Sequence, residues 1–278
     1  MNIAILLSSF NRAGKTSNCI RTLSNQHHDI DFYLVDDGST DTTVDDVKAE
    51  FPFVNIISGS GSLYWAGAMR LGWSKISQKN YDALIVVNDD VQFYIDAIEN
   101  AITDYNEIIK SNDDIDIDFA LVGSTNYFNN PELVSYGGQK RSSFWHPLKF
   151  KIIQPTSEIQ EAITLNMNFA IIPIKTIDKF GFLESYFLHG GADFEFGLRL
   201  IKNRGKVFIM RGFVGSCDRN PERLYSSNIK ERFKEFHHPK NQPFSQRIKY
   251  FKTYGGLLWP FLFVLPYVKL IFGLHRQK

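Results

Sequence analysis

The sequence predicts an α/β fold with a mainly parallel central sheet flanked by helices. Three observations predict it. Short runs rich in β-branched residues alternate with stretches of helical spacing. One run, Ala83-Leu84-Ile85-Val86-Val87, is apolar at every position, as a strand buried on both faces must be. Polar, carboxylate-bearing segments follow the strand-like runs, at the strand tips where open α/β sheets bind ligands.

Taken in order, Asn2–Ser9 reads as the first buried strand and Ala13–Gln26 as a helix. Ile30–Val35 is the second strand, ending in the turn Asp36-Asp37-Gly38-Ser39-Thr40-Asp41. A short helix over Val44–Glu50 and a third strand over Phe53–Ser58 follow. After the turn Gly59-Ser60-Gly61, Leu63–Ser77 has helical spacing, with small residues Ala66, Gly67 and Ala68 near its start. The strand 83–87 precedes a helix over 92–110 and a strand over Phe119–Gly123. Ser124–Ser157 is rich in Asn, Gly, Ser and aromatics, and predicts loops and short strands that wall a substrate pocket. Thr164–Ile172 is apolar and ends at Pro173. Asp193–Asn203 places Phe194, Gly197, Leu198 and Ile201 on one helical face, Gly205 stops it, and Lys206–Met210 is a further strand.

The chain of 278 residues, 44% hydrophobic and 22% charged, suits one large domain or one domain with an appendage. Two cysteines, Cys19 and Cys217, make neither a disulfide framework nor a zinc cluster. Met1-Asn2 leads directly into a strand-like run without a basic targeting region, which predicts a cytosolic, reducing location. The net charge of +1 is unevenly spread: from Glu222 onward there are 11 Lys/Arg and 3 Asp/Glu, leaving 20 against 27 before it. This divides the chain into a domain over 1–221 and a basic, apolar extension over 222–278.

The extension is basic and helical in parts over Ser226–Tyr254, then runs through Leu257–Val268 (LLWPFLFVLPYV). Twelve residues are too few to span a bilayer, and Pro260 and Pro266 are expected to break a helix there. Lys249, Lys252, Lys269, Arg276 and Lys278 bracket the run, and Trp259 and Tyr267 suit a membrane interface. The favoured reading is a peripheral anchor at the inner face of the cytoplasmic membrane. A hairpin packed on the domain and a homodimer contact are the other readings. The acidic body and the apolar run argue against nucleic acid.

Asn88-Asp89-Asp90 sets two carboxylates at the tip of the most apolar strand. A divalent metal holding a diphosphate would neutralise them, since Mg²⁺ is bound by one or two carboxylates plus substrate phosphates. The plainer reading is an Asp N-cap on the following helix. Ser9-Phe10-Asn11-Arg12-Ala13-Gly14-Lys15-Thr16 departs from a P-loop at its first position, where Ser9 replaces the Gly that lets backbone wrap a phosphate. A P-loop phosphotransferase or hydrolase using Lys15 is therefore a rival reading.

Four blocks together resemble the family-2 glycosyltransferases of the GT-A fold, over Asn2 to about Met210. They are Ser8-Ser9-Phe10-Asn11-Arg12, Val35-Asp36-Asp37-Gly38-Ser39-Thr40-Asp41, Val87-Asn88-Asp89-Asp90-Val91 in the place of the D-x-D motif, and His189–Arg199 in the place of the acceptor-side Glu-Asp-x-Asp-x-x-x-Arg block. Gly61–Arg70 is most similar to the bacterial rhamnosyl- and galactofuranosyltransferase branch. The resemblance implies an inverting, metal-dependent hexosyltransferase using Mn²⁺ or Mg²⁺. It would move a sugar, with rhamnose a candidate, from a UDP- or dTDP-linked donor to a glycan or lipid-linked acceptor in cell-surface polysaccharide synthesis.

By the same resemblance Asp37 accepts from the donor's base, Ser8 and Arg12 line the base and diphosphate side, Asp89 faces the ribose, Asp90 holds the metal, and Asp193 is the general base. Each has a structural alternative: a turn for Asp36-Asp37, a solvated helix start for Arg12, an N-cap for Asp193 and an i, i+4 ion pair for Glu195 with Arg199. Trp65 and Trp145 suit either sugar stacking or core packing. Ala192 stands where many members have Glu, and Gly215-Ser216-Cys217-Asp218 lacks the His that some relatives carry there. A transferase-like protein that only binds glycans is the non-enzymatic alternative.

Overall fold

A computed structural model describes residues 1–26, 30–111, 117–221 and 225–273. The first half alternates as the apolar runs require: β1 (Ile3–Ser9), α1 (Ala13–Ser24), β2 (Ile30–Asp36), α2 (Thr43–Glu50), β3 (Asn55–Ser58), α3 (Tyr64–Ile76) and β4 (Ala83–Val87). Next come β5 (Gln92–Phe93), α4 (Ala97–Lys110), β6 (Phe119–Tyr127), β7 (Asn130–Tyr136), β8 (Gly138–Arg141), β9 (Phe150–Ile152) and β10 (Gln160–Ala162). The rest comprises β11 (Thr164–Leu165), β12 (Phe169–Pro173), α5 (Ile174–Phe180), α6 (Ala192–Lys202), β13 (Lys206–Ser216), α7 (Ile229–Phe236), α8 (Phe244–Tyr254) and α9 (Trp259–Ile271).

The central sheet runs β10-β13-β6-β12-β4-β1-β2-β3. β3, β2, β1 and β4 are mutually parallel, and β13 is parallel to β6. β12 runs antiparallel between β4 and β6. The chain leaves β1 for β2 and β3 on one side and returns to β4 on the other. That reversal opens a crevice at the C-terminal tips of β1 and β4, where such sheets take their ligands.

Both faces of the sheet are covered. On β1, Ile3, Ile5 and Leu7 enter one core cluster with Cys19 and Ile20 of α1 and Ile98 and Tyr105 of α4. Ala4 and Leu6 enter the other with Met69 and Ile76 of α3 and Phe196 and Leu200 of α6. The period-2 alternation of a strand buried on both sides therefore explains why its sequence has no polar face.

Two expectations shift at their edges. The helix expected from 92 starts at Ala97, because Gln92 and Phe93 first pair with Ser216 and Gly215 of β13. Asp89 and Asp90 are consequently not N-caps of that helix. The segment 124–157 forms the expected short strands β7, β8 and β9 after the end of β6, with β11-β8-β9 as a small second sheet. The last strand continues past Met210 to Ser216 through register shifts around Phe213.

The prolines do not break the last helix. Pro260 sits in the first turn of α9, where its missing N–H has no intrahelical partner to lose, while Pro266 is accommodated inside a helix that continues to Ile271. One side of the extension packs on the body: Tyr250, Phe251 and Leu262 share a core cluster with Phe187 and Phe196. Buried Arg232 ties α7 to α9 by donating to the Leu270 carbonyl at 2.7 Å. The other side of α9 leaves Phe261, Val264, Leu265 and Ile271 exposed. No helix among the described residues is long and apolar enough to cross a membrane. Arg276 and Lys278 lie outside the described residues.

Candidate active site

The tips of β1, β2 and β4 and the start of α6 meet around one cavity of about 1260 Å³. Its lining includes Ser8, Arg12, Asp37, Asp89, Asp90 and Asp193, so the structure brings all six predicted site residues together.

The β2 turn is built by its own side chains. Asp36 Oδ2 accepts from the backbone of Gly38 and Ser39 at 3.2 and 3.0 Å, as the turn reading requires. Asn11 adopts φ 53° and its Oδ1 accepts from Thr40 N at 2.7 Å, fastening the end of β1 to this turn. Asp37 is buried and organises the next loop: Oδ1 accepts from Gly61 N at 2.9 Å, and Oδ2 from Leu63 N and Tyr64 N at 2.9 and 3.0 Å. A carboxylate has about four acceptor positions, so Asp37 keeps about one for a ligand in the cavity.

Arg12 is not a solvated helix-start residue. Its Nη1 donates to Asp89 Oδ1 at 2.5 Å and its Nη2 to Asp90 Oδ2 at 3.0 Å, so one guanidinium bridges both carboxylates. Burial pushes the Asp89 carboxyl up to about 6, with Arg12 pulling against it. Thr16 completes the arrangement, 2.7 Å from Ser9 Oγ and 3.4 Å from Asp89 Oδ2.

Asp193 lies inside the first turn of α6; the N-cap position belongs to Gly191, at φ 87°. Its Oδ1 accepts from Phe194 N at 2.9 Å and its Oδ2 from Asn166 Nδ2 at 3.4 Å. Burial pushes its carboxyl up to about 6. Glu195 follows the ion-pair reading. Arg199 Nε lies 3.1 Å from its Oε1, and the Tyr254 hydroxyl donates to the same oxygen at 2.6 Å. Arg199 also caps the carbonyls of Phe180, Gly181 and Phe182.

Other expectations separate. Trp65 lines the cavity, whereas Trp145 is 73% exposed and lies neither in the cavity lining nor in the core. Asp218 faces away, accepting from Phe128 N at 3.1 Å. Cys217 is a buried thiol, pushed up to about 12 by burial and by Asp90, and its Sγ is 3.7 Å from Asp90 Oδ1. Sequence reasoning missed Asn166, Tyr250, Gln242 and Lys240, all of which line the cavity. Asn166 was visible as a polar interruption of an apolar run. The extension's residues gave no local signal, because only tertiary packing brings them here.

No P-loop is formed. Only Phe10, Asn11 and Arg12 separate β1 from α1, too short a segment to wrap a phosphate, and Lys15 is exposed and outside the lining of the large cavity.

A sheet with its carboxylates at the parallel strand tips, and a further carboxylate across the cavity, is the arrangement of a GT-A glycosyltransferase. The sequence matches Glycosyl transferase family 2 over residues 4–171, and the chain belongs to that family. No curated protein matches it. Among solved structures it is similar to S. aureus TarS 1-349, with 14% identity and a TM-score of 0.54 over 78% of this chain and 60% of that one. It is also similar to TarS 1-349 in complex with UDP-GlcNAc, with 11% identity and a TM-score of 0.57 over 86% of this chain and 65% of that one. A longer TarS structure is covered for 37% of its length, at 13% identity and a TM-score of 0.55. This chain thus spans less than two thirds of each of these structures, and the likeness is one of fold.

Proposed function

We propose that the protein transfers a sugar from a nucleotide-sugar donor to a glycan hydroxyl, with inversion at the anomeric carbon and with Mg²⁺ or Mn²⁺ bound beside the donor. The observation that carries this reading is the convergence of Asp37, the Asp89–Asp90 pair and Asp193 on one cavity, with Asp193 set apart on α6. The UDP-GlcNAc complex of TarS supports a nucleotide-sugar donor for this fold.

Asp193 removes the proton from the acceptor hydroxyl as that oxygen attacks the anomeric carbon. A carboxyl raised to about 6 is a better base than an ordinary aspartate and is still ionised near neutral pH. One base without a covalent intermediate gives a single in-line displacement. Ser8 and Asp37 hold the nucleoside end, and Asp89 faces the ribose. Arg12 supplies positive charge on the diphosphate side.

The residues present fit a divalent metal. Asn88 Oδ1 is buried without a hydrogen-bond partner next to the two carboxylates. Among the described residues no group of three or more His, Cys, Asp or Glu side chains forms a cage. A site with few protein ligands suits Mg²⁺, which keeps waters and binds substrate phosphates. Asp90, with Asn88, would hold the metal, which supplies charge stabilisation for the departing diphosphate.

A UDP- or dTDP-linked donor follows from the family resemblance alone, and rhamnose as a candidate sugar from the resemblance of Gly61–Arg70. A lipid-linked acceptor in cell-envelope polysaccharide synthesis, at the inner face of the cytoplasmic membrane, accords with the exposed apolar side of α9.

The test is thermal stability against UDP-, dTDP- and GDP-sugars, with and without Mn²⁺, in wild type and Asp90→Ala. A ligand at a hundred times its Kd stabilises by about 2.7 kcal/mol. A metal-dependent shift with one nucleotide sugar, lost in Asp90→Ala, is expected. No shift with any of them would overturn the proposal, and a shift kept in Asp90→Ala would overturn the metal assignment.

A further inference from the structure

The strand pair β8–β9 ends in a tip whose composition its position in the fold does not require. Phe144 is 91% exposed and Trp145 73% exposed. Their rings meet edge to face at 5.3 Å but bury little against the rest of the fold, and adjoining exposed aromatics of this size mark an interaction site. They are flanked by Lys140, Arg141, Lys149 and Lys151, all exposed, and residues 138–155 contain no Asp or Glu.

The second element is remote in sequence and adjacent in space. A Cβ built at Gly256 would lie 3.8 Å from Pro147 Cγ. Burial lowers the pKa of the His146 imidazole, and the charges of Lys149 and Lys269 lower it further. Leu257, Phe261, Val264, Leu265, Val268 and Ile271 are exposed here. From Phe261 onward they recur at i, i+3, i+4, i+7 and i+10, a single helical face. Residues 244–273 also carry no Asp or Glu, and Lys252 and Lys269 are exposed. Two independent elements thus share one character: exposed apolar side chains in segments whose only charged residues are cations.

We propose that the 144–145 tip and the outer face of α9 form one docking platform for an anionic lipid bilayer. This combination is what binds in a membrane interface, with apolar groups entering the acyl boundary and cations meeting anionic headgroups. A second copy of the chain fits less well, since docking like faces sets cations against cations. Residues 1–221 outside the 138–155 segment carry 16 Lys/Arg and 27 Asp/Glu, so this part of the chain is repelled by the same lipids and helps orient the protein.

The platform adjoins the cavity. Leu148 and Phe150, from the strand pair that carries the tip, line the cavity, as does Tyr250 of α8. Docking therefore sets the cavity beside the bilayer surface, so that an acceptor anchored in lipid reaches Asp193 without leaving the membrane. This last step rests on the glycosyltransferase reading; the platform itself does not.

The experiment is co-sedimentation of the full chain with phosphatidylcholine vesicles, with or without phosphatidylglycerol, together with its sedimentation velocity without vesicles. Wild type, Phe144→Ser/Trp145→Ser and Phe261→Ser/Val264→Ser are compared. Because these four side chains are exposed, unchanged melting temperatures are expected and serve as the folding control. Wild type should bind the anionic vesicles, with a blue shift in tryptophan emission that the tip variant lacks. Each double variant should lose more than about tenfold in partitioning. The proposal is overturned if wild type ignores anionic vesicles, or if either variant binds as well as wild type. It is also overturned if the protein is a dimer that the same substitutions dissociate. Donor binding without vesicles is scored separately, so vesicle binding without donor binding would sink the enzymatic reading and leave the platform standing.

Discussion

Replacing Asp193 with Asn separates two consequences of burying that carboxyl. The folded protein raises it from 3.8 to about 6, so the native state holds this proton more tightly than the unfolded chain. For a raised carboxyl the sign is fixed. Its contribution to stability is fully present below the unfolded value, is lost as pH rises between about 4 and 6, and is flat above. One unit corresponds to about 1.4 kcal/mol, so above pH 7 the ionised side chain costs the fold up to about 3 kcal/mol. Asn removes that cost but turns an NH2 or an oxygen toward Asn166, where the carboxylate accepts at 3.4 Å, so a net gain of about 1–2 kcal/mol is expected. Urea unfolding of both proteins at pH 4 and pH 8 measures it: near equality at pH 4, and a more stable Asn variant at pH 8. On the proposed chemistry the same variant loses about 10²–10⁴ in kcat. An Asn variant that is less stable at pH 8, or as active as wild type, would refute the reasoning on that side.

Two further substitutions test the geometry. Arg12→Met leaves Asp89 and Asp90 facing each other unpaired. Discounted because Arg12 is 36% exposed, the loss should be about 2–3 kcal/mol in EDTA, with part of it restored by millimolar Mn²⁺ in melting experiments. Equal melting temperatures in EDTA would show that the bridge is not stabilising. Gly191→Ala forces a Cβ into a left-handed residue at φ 87° and against Gln242 Nε2. It should destabilise by more than the roughly 1–2 kcal/mol of backbone strain, and adding Gln242→Ala should recover the excess, as read by urea denaturation. A neutral Gly191→Ala would remove both the backbone strain and the close approach of Gln242 to this turn.

The most legible parts of the chain were those whose function and structure share one short stretch. β4 is apolar throughout because both its faces are buried, and the polarity change at Asn88 marks the point where the sheet ends and the cavity begins. The Asp36–Asp41 turn was readable because its carboxylate must satisfy nearby backbone N–H groups, a local requirement. Three features were not readable, each for the same reason. Arg12 turns toward partners 77 and 78 residues away, Tyr254 reaches Glu195 across 59, and Gln242 closes on Gly191. Contacts of that separation leave no periodicity. The continuous α9 was not legible because Pro260 stands in a first turn, where it costs nothing, and Pro266 is accommodated inside the helix. Trp145, which the sequence left between sugar stacking and core packing, does neither: exposure at a strand-pair tip has no local signature in the sequence.

The departure at Ala192 has a physical origin in the fold. Consecutive residues on a helix point about 100° apart, and in α6 that angle divides neighbours between two environments. Ala192 is fully buried in the core cluster with Phe187 and Phe196, while Asp193 turns to the cavity. A glutamate at 192 in this packing would bury a charge among apolar side chains, a cost of several kcal/mol without a partner. The next acidic residue, Glu195, is held by Arg199 and by the Tyr254 hydroxyl, and so is committed to joining α6 to α8. Of the three positions, then, only Asp193 keeps a carboxylate turned to the cavity. On the proposed chemistry a lone aspartate at its ordinary acidity would be a weak base, and burial, working against the hydrogen bond from Asn166, supplies the basicity that a second carboxylate would otherwise have lent it by repulsion.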